Sequence, residues 1–139
     1  ELAGHINSEM PRFTLKRVVE VLSLDRKPLQ DARVHLFGVA YKPGVADVRE
    51  SPAVDIAELL QRGGALVSYS DPHVPVGQQG ELILKEVPCE IALARGFDCG
   101  LITTSHPEFD YEAIANRAVR IVDTRNALKG FSGEHIHRL

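Results

Sequence analysis

A short polar loop holds the residues of this chain that are best suited to binding an anion. Residues 38–52 read GVAYKPGVADVRESP and include Lys42 and Arg49. A lysine offers a compact positive charge to a phosphate group, and an arginine can bind one through two parallel hydrogen bonds. Either residue could instead be a solvated loop charge, with Arg49 paired to a neighbouring acid. We expect the loop to bind the charged part of a nucleotide ligand.

The loop lies between a predicted strand and a predicted helix. Residues 34–40 are apolar almost throughout, which is typical of a strand covered on both faces. Ser51 and Pro52 favour a helix start, because serine caps the first turn and proline fits its first position. Open α/β sheets bind their ligands at strand-to-helix loops of this kind.

The remaining chain repeats the alternation of strands and helices. Further strands are predicted at 65–69, 99–104 and 119–122, and helices at 13–24, 88–95 and 109–116. Residues 81–87 fit a short strand or irregular structure, and the tail from Lys129 is expected to be loosely ordered. The pattern predicts an α/β fold: a three-layer, Rossmann-like domain with a mostly parallel sheet of four or five strands, preceded by an N-terminal helix.

Three other polar residues follow predicted strands. Arg125 could converge on the same sheet edge as Lys42, or be a surface arginine in a turn. Asp71 lies where Rossmann domains place an acid for the ribose, but Asp-Pro is also a common turn start. His106 could be a ligand, a base or a polar loop residue. Only the first glycine, Gly38, of the dinucleotide fingerprint Gly-x-Gly-x-x-Gly is present.

Composition narrows the class of protein. The 139 residues carry a net charge of −3 and no basic block, which argues against nucleic acid as the main partner. No apolar run approaches the roughly 20 residues that span a bilayer, and no signal peptide is visible, so we expect a cytoplasmic location. Cys89 and Cys99 have no metal-site spacing and are expected to be buried. The first residue is Glu1, which suggests a piece of a longer protein.

Several motifs together resemble one family. The segment 38–52, GGA at 63–65, YSDP at 69–72 and IVDTRN at 121–126 closely resemble the C-terminal domain of the UDP-glucose/GDP-mannose dehydrogenase family. Asn7 with Met10 and Pro11 is similar to the end of that family's central helix, and the likeness covers nearly all of residues 5–128. The sequences YKP and YSDPHVP are similar to the branch that oxidises UDP-N-acetyl-hexosamines for surface polysaccharides.

The resemblance implies a part of a three-domain enzyme. Residues 1–30 would end the central helical region and linker, and residues 31–139 would form the UDP-sugar-binding domain. Tyr41, Lys42 and Arg125 would contact the UDP-sugar, and Arg49 would reach NAD held mainly by an N-terminal domain. The full-length enzyme would oxidise the sugar C6 alcohol to a carboxylate in two NAD-dependent steps, and we expect it to be a homo-oligomer.

The chain also departs from the pattern of the whole family. The nucleophilic cysteine of the family lies in a glycine-rich motif of the N-terminal part, and neither Cys89 nor Cys99 has that context. We therefore assign no catalytic and no metal-binding residue, and we expect the chain alone to lack dehydrogenase activity and to bind UDP-sugar weakly. The alternative is a non-catalytic Rossmann-like module that binds a nucleotide or mediates oligomerisation.

Overall fold

A six-stranded sheet forms the centre of the protein in a computed structural model, which describes residues 2–46, 48, 51–74 and 84–139, with the backbone alone for 2–8. The strands are β1 (Arg33–Phe37), β2 (Leu66–Ser70), β3 (Lys85–Glu86), β4 (Cys99–Ile102), β5 (Ile121–Asp123) and β6 (Ile136–Arg138). They lie in the order β3-β2-β1-β4-β5-β6, and every neighbouring pair is parallel. This is the strand order of dinucleotide-binding Rossmann folds.

Helices cover both faces of the sheet. They are α1 (Leu2–Leu24), α2 (Pro52–Arg62), α3 (Cys89–Arg95) and α4 (Tyr111–Arg117). Val34 and Leu36 of β1 belong to one core with buried residues of α1 and α2, whereas Phe37 belongs to a second core with buried residues of α3 and α4. The three-layer α/β prediction is confirmed. Among the described residues, no helix combines the length and the apolar character needed to cross a membrane.

The helix after the polar loop begins as predicted. The Oγ of Ser51 accepts a hydrogen bond from Ala53 N at 3.2 Å, and Pro52 occupies the first helical position, where its missing N–H costs nothing. The helix ends at Arg62 and is followed by Gly63 and by Gly64 with a φ of +93°. Its buried residues share one face and fix the helix against β1 and β2: Ala53, Ile56, Ala57 and Leu60.

Several boundaries differ from the predictions. Helix α1 begins at Leu2 rather than 13 and contains Pro11, and β1 ends at Phe37 because Gly38 turns the chain with a φ of +93°. The expectation of a loosely ordered tail was wrong, since β6 extends the sheet and Ile136 is only 7% exposed. The sheet therefore has six strands rather than four or five. Of the ambiguous segment 81–87, residues 81–83 lie outside the described residues.

Candidate functional site

The strand order identifies one edge of the sheet as the candidate site. The loop after β1 and the loop after β4 leave neighbouring strands at the point where the order reverses, between β1 and β4. At such a point the two loops lead to helices on opposite faces of the sheet. This leaves a crevice outside the carboxyl ends of the strands, where open α/β sheets bind ligands. The polar loop that begins at Gly38 and the segment that begins at Thr103 border this crevice.

Gly38 allows the first loop to approach the second closely. Its N–H donates to Ser70 O at 2.8 Å, and its φ is +93°. A Cβ at this position would lie 2.5 Å from both the Cβ and the carbonyl oxygen of Thr104. Only glycine combines this backbone conformation with the missing side chain that the contact requires.

Asp71 accepts the backbone amides of the turn that follows β1. Val39 N and Ala40 N, the first amides after Gly38, donate to Asp71 Oδ2 at 2.8 and 3.1 Å. In a Rossmann turn, amides of this kind face the phosphates of the ligand. Here the fully buried Asp71 carboxylate already accepts them, and its Oδ1 accepts from His73 N at 2.8 Å. The turn therefore does not fit NAD, and Asp71 is not free to hold a ribose.

His106 connects Asp71 to the far end of the loop. Its side chain is fully buried, with Nε2 2.9 Å from Asp71 Oδ2 and Nδ1 3.0 Å from Gly44 N. Because the backbone N–H of Gly44 can only donate, Nδ1 must be the unprotonated acceptor and the ring proton lies on Nε2. Both ring nitrogens are thus used within the protein. His106 is a polar loop residue with structural bonds, rather than a free ligand or base.

A group of possible metal ligands lies beside this pair. Ligand atoms of His73, His106 and Glu108 lie within 4.8 Å of one another, and His73 Nε2 is 2.7 Å from Glu108 Oε2. A metal on His106 Nε2 would move the ring proton to Nδ1, where it would face the N–H of Gly44. A metal on Nδ1 would displace Gly44. The bonds of His106 therefore oppose metal binding here.

Ionisation of Glu108 fits this interpretation. A backbone hydrogen bond makes the largest contribution and lowers the pKa of Glu108 below its ordinary value. The hydrogen bond from His73 lowers it further, and together they outweigh the opposing effect of burial. The carboxylate is thus ionised at neutral pH and already has its donors. The cluster of His73, His106 and Glu108 is explained by hydrogen bonding without an ion.

Tyr41 and Lys42 lie at the tip of the loop, between the bonded residues Ala40 and Gly44. Tyr41 is 49% exposed and Lys42 is also exposed. In the part of the chain that the structure describes, neither side chain makes a hydrogen bond or an ion pair. Both are accessible to a ligand in the crevice, and their role as substrate contacts stays a prediction. Arg49, predicted to contact NAD, lies outside the described residues.

Arg125 lies at the same edge, after β5. The buried Asp123 carboxylate shapes its turn by accepting from the backbone N–H groups of Arg125, Ala127 and Leu128. The guanidinium is exposed, and its Nε donates to Thr103 O at 3.0 Å, which holds it against the end of β4. A groove of about 490 Å³ adjoins it, lined also by Arg138. Lys42 and Arg125 thus follow β1 and β5 at the same edge of the sheet.

Two threonines that the sequence did not single out join the two loops. Thr103 Oγ1 donates to Gly38 O, and Thr104 Oγ1 donates to Ala40 O at 2.7 Å. Both are buried at the carboxyl end of β4. The sequence could have indicated them only as two hydroxyl residues directly after an apolar strand. Their role could not be predicted, because their partners lie more than 60 residues away along the chain.

The cysteines lack the properties of a catalytic nucleophile. Burial raises the pKa of Cys89 to about 11 and that of Cys99 to about 12. Reaction requires the thiolate, and nucleophilic cysteines lie in environments that lower the pKa. The expected burial is confirmed for Cys99, whereas Cys89 is partly exposed. The assignment of no catalytic residue stays a prediction.

Comparison with known proteins supports the same family. A family model described as the UDP binding domain of the UDP-glucose/GDP-mannose dehydrogenase family matches residues 35–130. A UDP-N-acetyl-D-mannosamine dehydrogenase from Pyrococcus horikoshii is 32% identical over 133 residues, which cover 92% of this chain and 30% of the relative. This chain thus spans about a third of the length of the curated relatives it matches.

Solved structures agree with this match. A UDP-D-ManNAc dehydrogenase from Pyrococcus horikoshii aligns with a TM-score of 0.80 and 27% identity, covering 99% of this chain and 32% of the other. A UDP-glucose dehydrogenase from Pyrobaculum islandicum aligns with a TM-score of 0.76 and 29% identity, covering 96% and 30%. The chain belongs to the UDP-glucose/GDP-mannose dehydrogenase family, within which it corresponds to the UDP binding domain.

Proposed function

We propose that this chain is the nucleotide-sugar-binding domain of a cytoplasmic, NAD-dependent UDP-sugar 6-dehydrogenase. The enzyme would convert the C6 alcohol of the sugar to a carboxylate in two hydride transfers. The observation that carries the proposal is the match to the UDP binding domain over residues 35–130. That stretch runs from β1 past β5 and so includes the whole crevice edge, with Lys42 and Arg125.

The cations of this edge would bind the diphosphate. Lys42 would supply a compact positive charge from the loop tip, next to Tyr41, which would contact the UDP-sugar. Arg125 would bind through the guanidinium N–H groups that Thr103 O leaves free, since within the described residues Nε alone donates to a protein acceptor. The backbone amides of Val39 and Ala40 would take no part, because Asp71 already accepts them.

The domain would act as a lid on a reaction carried out by other parts of the full-length chain. Binding the diphosphate fixes the sugar from a point remote from C6, and this binding energy supports orientation at the reacting carbon. Closure of the domain would also exclude water from that carbon. NAD would be held by an N-terminal domain, with Arg49 of this chain reaching it. Residues 1–30 would join this domain to a central helical region of a homo-oligomer.

The proposed substrate is a UDP-N-acetyl-hexosamine used for surface polysaccharides. Two features support this class: the sequences YKP at 41–43 and YSDPHVP at 69–75, and the UDP-N-acetyl-D-mannosamine dehydrogenase named among the relatives. A full-length protein should be assayed with UDP-glucose, UDP-N-acetylglucosamine, UDP-N-acetylmannosamine and GDP-mannose. A preference for UDP-glucose or GDP-mannose would overturn the substrate class without affecting the binding role.

Titration of the 139-residue chain with UDP tests the binding role. We expect weak binding by calorimetry, and a loss of about 1–3 kcal/mol, or roughly 5- to 150-fold in Kd, for Lys42→Ala and Arg125→Ala. The matched control is Lys16→Ala, which removes an exposed lysine from α1, away from the crevice. Equal affinity of all four proteins would contradict the proposal.

The same preparation tests the division of labour between domains. With UDP-sugar and NAD, we expect no turnover by the isolated chain, because it has neither a cysteine of low pKa nor a dinucleotide turn that accepts a pyrophosphate. NADH formation is followed by absorbance at saturating substrate. Measurable turnover by the pure chain would exclude a binding-only role. A complete lack of UDP binding would instead favour an oligomerisation module.

A further inference from the structure

We propose that Asp71 and His106 are a positioning pair that sets the conformation of the Tyr41–Lys42 turn for ligand binding. The proposal rests on the proposed function, because it assigns a purpose to the turn that would carry the substrate contacts. It goes further in naming two residues that touch no ligand and act through the backbone of the loop. Neither was assigned to the binding site from the sequence.

The pair holds both ends of the turn. At the entrance, Asp71 Oδ2 accepts from Val39 N and Ala40 N at 2.8 and 3.1 Å. At the exit, His106 Nδ1 accepts from Gly44 N at 3.0 Å. The 2.9 Å contact between His106 Nε2 and Asp71 Oδ2 joins the two ends into one chain of hydrogen bonds. The distance between the two ends of the turn is thus set by the rigid imidazole ring of His106.

Burial makes the arrangement rigid. The side chains of Asp71 and His106 are both fully buried, so an unpaired carboxylate or imidazole would be costly there. The carboxylate has four donors: Val39 N, Ala40 N and His106 Nε2 on Oδ2, and His73 N on Oδ1. Because Gly44 N–H can only donate, these contacts require a bare Nδ1 on His106 and place the ring N–H on Nε2, toward Asp71. The pair therefore has one arrangement that satisfies all of its hydrogen bonds.

The two ends of the turn depend on the pair to different degrees. The entrance has further bonds, because Ser51 Oγ donates to Val39 O at 2.7 Å and Thr104 Oγ1 donates to Ala40 O at 2.7 Å. At the exit, the Gly44 amide donates to His106 Nδ1, and this is its one hydrogen bond among the described residues. Since the side chains of Tyr41 and Lys42 make no hydrogen bond to any described residue, loss of His106 should free the exit. A ligand would then have to order the turn as it binds.

Variants at His106 separate positioning from packing. His106→Leu removes both hydrogen bonds and leaves a side chain of similar bulk. His106→Gln keeps an N–H for Asp71 and a carbonyl oxygen for Gly44, and should restore what leucine loses. Leu22→Ala is the control: it opens the core near the amino edge of the sheet, where Lys27 meets Asp98, and lowers stability away from the crevice.

Two measurements on the 139-residue chain give the test. Without ligand, we expect the Gly44 amide to exchange at least about tenfold faster in His106→Leu, and close to the wild-type rate in His106→Gln and Leu22→Ala. In a UDP titration, we expect the Kd to rise about tenfold in His106→Leu alone. In a full-length enzyme, the KM for the nucleotide sugar should rise with a smaller change in kcat.

The outcomes are distinct. Wild-type UDP affinity and Gly44 protection in His106→Leu would overturn the proposal, and so would equal losses in His106→Gln and His106→Leu, which would point to packing of the ring. If His106→Leu does not fold, His106→Asn takes its place under the same criteria, since its shorter amide cannot reach both partners. If the wild-type chain does not bind UDP, the proposed function fails, and the Gly44 exchange rate alone decides whether the pair positions the turn.

Discussion

Gly38 shows how a single residue connects the two loops of the crevice. Its backbone adopts a φ of +93°, and Thr104 occupies the space where a side chain would begin. The contact brings Thr103 and Thr104 close enough to donate to the carbonyl oxygens of Gly38 and Ala40. The geometry of the turn thus depends on a missing Cβ as much as on the hydrogen bonds.

Gly38→Ala should destabilise the chain by about 2–4 kcal/mol, because the strain of a positive φ adds to a backbone overlap that cannot relax. The matched control is Gly130→Ala: Gly130 has a φ of +95°, close to that of Gly38, but a Cβ there would have nothing within 4 Å. It should cost about 1 kcal/mol. Urea unfolding followed by circular dichroism measures both. Equal losses would show that the contact with Thr104 contributes nothing.

The residues of the candidate site were predictable to different degrees. Lys42 and Arg125 could be proposed because each is a cation just after a strand, and strand ends meet at one edge of a parallel sheet. The partnership of Asp71 and His106 could not, because the two lie 35 residues apart and each also fits an ordinary turn. Their function depends on which nitrogen faces which amide, and this follows only from three-dimensional packing.

At the level of single elements, α2 transmits the position of the loop to the core. Ser51 caps the helix and also donates to Val39 O at 2.7 Å, so the helix start and the loop entrance share one hydroxyl group. The next turns of the helix bury Ile56 and Leu60 against the sheet. The crevice edge is therefore fixed to a well-packed helix, although the loop itself is exposed at its tip.

Ser51→Ala should reduce the free energy of unfolding by about 1–2 kcal/mol, through loss of the cap and of the bond to Val39. Ser23→Ala is the control, since Ser23 is exposed and donates only to Glu20 O near the end of α1. It should change stability by less than about 0.5 kcal/mol. Thermal or urea unfolding of the two variants gives the comparison. A loss no larger for Ser51 than for Ser23 would contradict the shared role.

Elements with a local signal were predicted well, and elements that depend on tertiary pairing were not. Ser51-Pro52 and Gly63-Gly64 marked α2 at both ends. Strand β6 has three residues, of which only Ile136 is buried, so no alternating pattern could reveal it. Its place comes from pairing with β5 and from Arg138 Nη2, which donates to Leu128 O and Phe131 O.

For the whole molecule, we expect His35 to make stability depend on pH. It is buried between strands, with Nδ1 2.7 Å from Ser68 Oγ and Nε2 2.7 Å from Ser70 Oγ. Ser70 Oγ donates to Val87 O, so it accepts from Nε2–H, and Nδ1 accepts from Ser68. Burial lowers the pKa of His35 to about 4, which keeps the ring neutral in the folded protein.

The sign of the pH dependence follows from this shift. Between the ordinary pKa of 6.5 and the folded value of about 4, the unfolded chain binds the additional proton. Stability should therefore fall as the pH drops from about 6.5 to 4, by up to about 3 kcal/mol from this residue. Urea unfolding at pH 7, 5.5 and 4.5 should show a shallower decline for His35→Gln. Parallel declines in both proteins would exclude His35 as the source.

The arrangement of the whole sheet was largely predictable. The alternation of strands and helices indicated a parallel, three-layer fold, and right-handed crossovers restrict such a chain to few topologies. What the sequence could not supply was the exact extent of the sheet, because its outermost strands, β3 and β6, have only two and three residues. Strands this short are determined by the neighbour they pair with.

The carboxylate of Asp71 bears on how many dinucleotides the proposed full-length enzyme would bind. That enzyme would contain a second Rossmann-like domain, which would hold NAD at the turn after its first strand. In the domain described here, the amides of the corresponding turn already have an acceptor within the protein, because Val39 N and Ala40 N donate to Asp71 Oδ2. We therefore expect the proposed full-length enzyme to bind one NAD per chain, because this domain leaves neither amide free for a second dinucleotide.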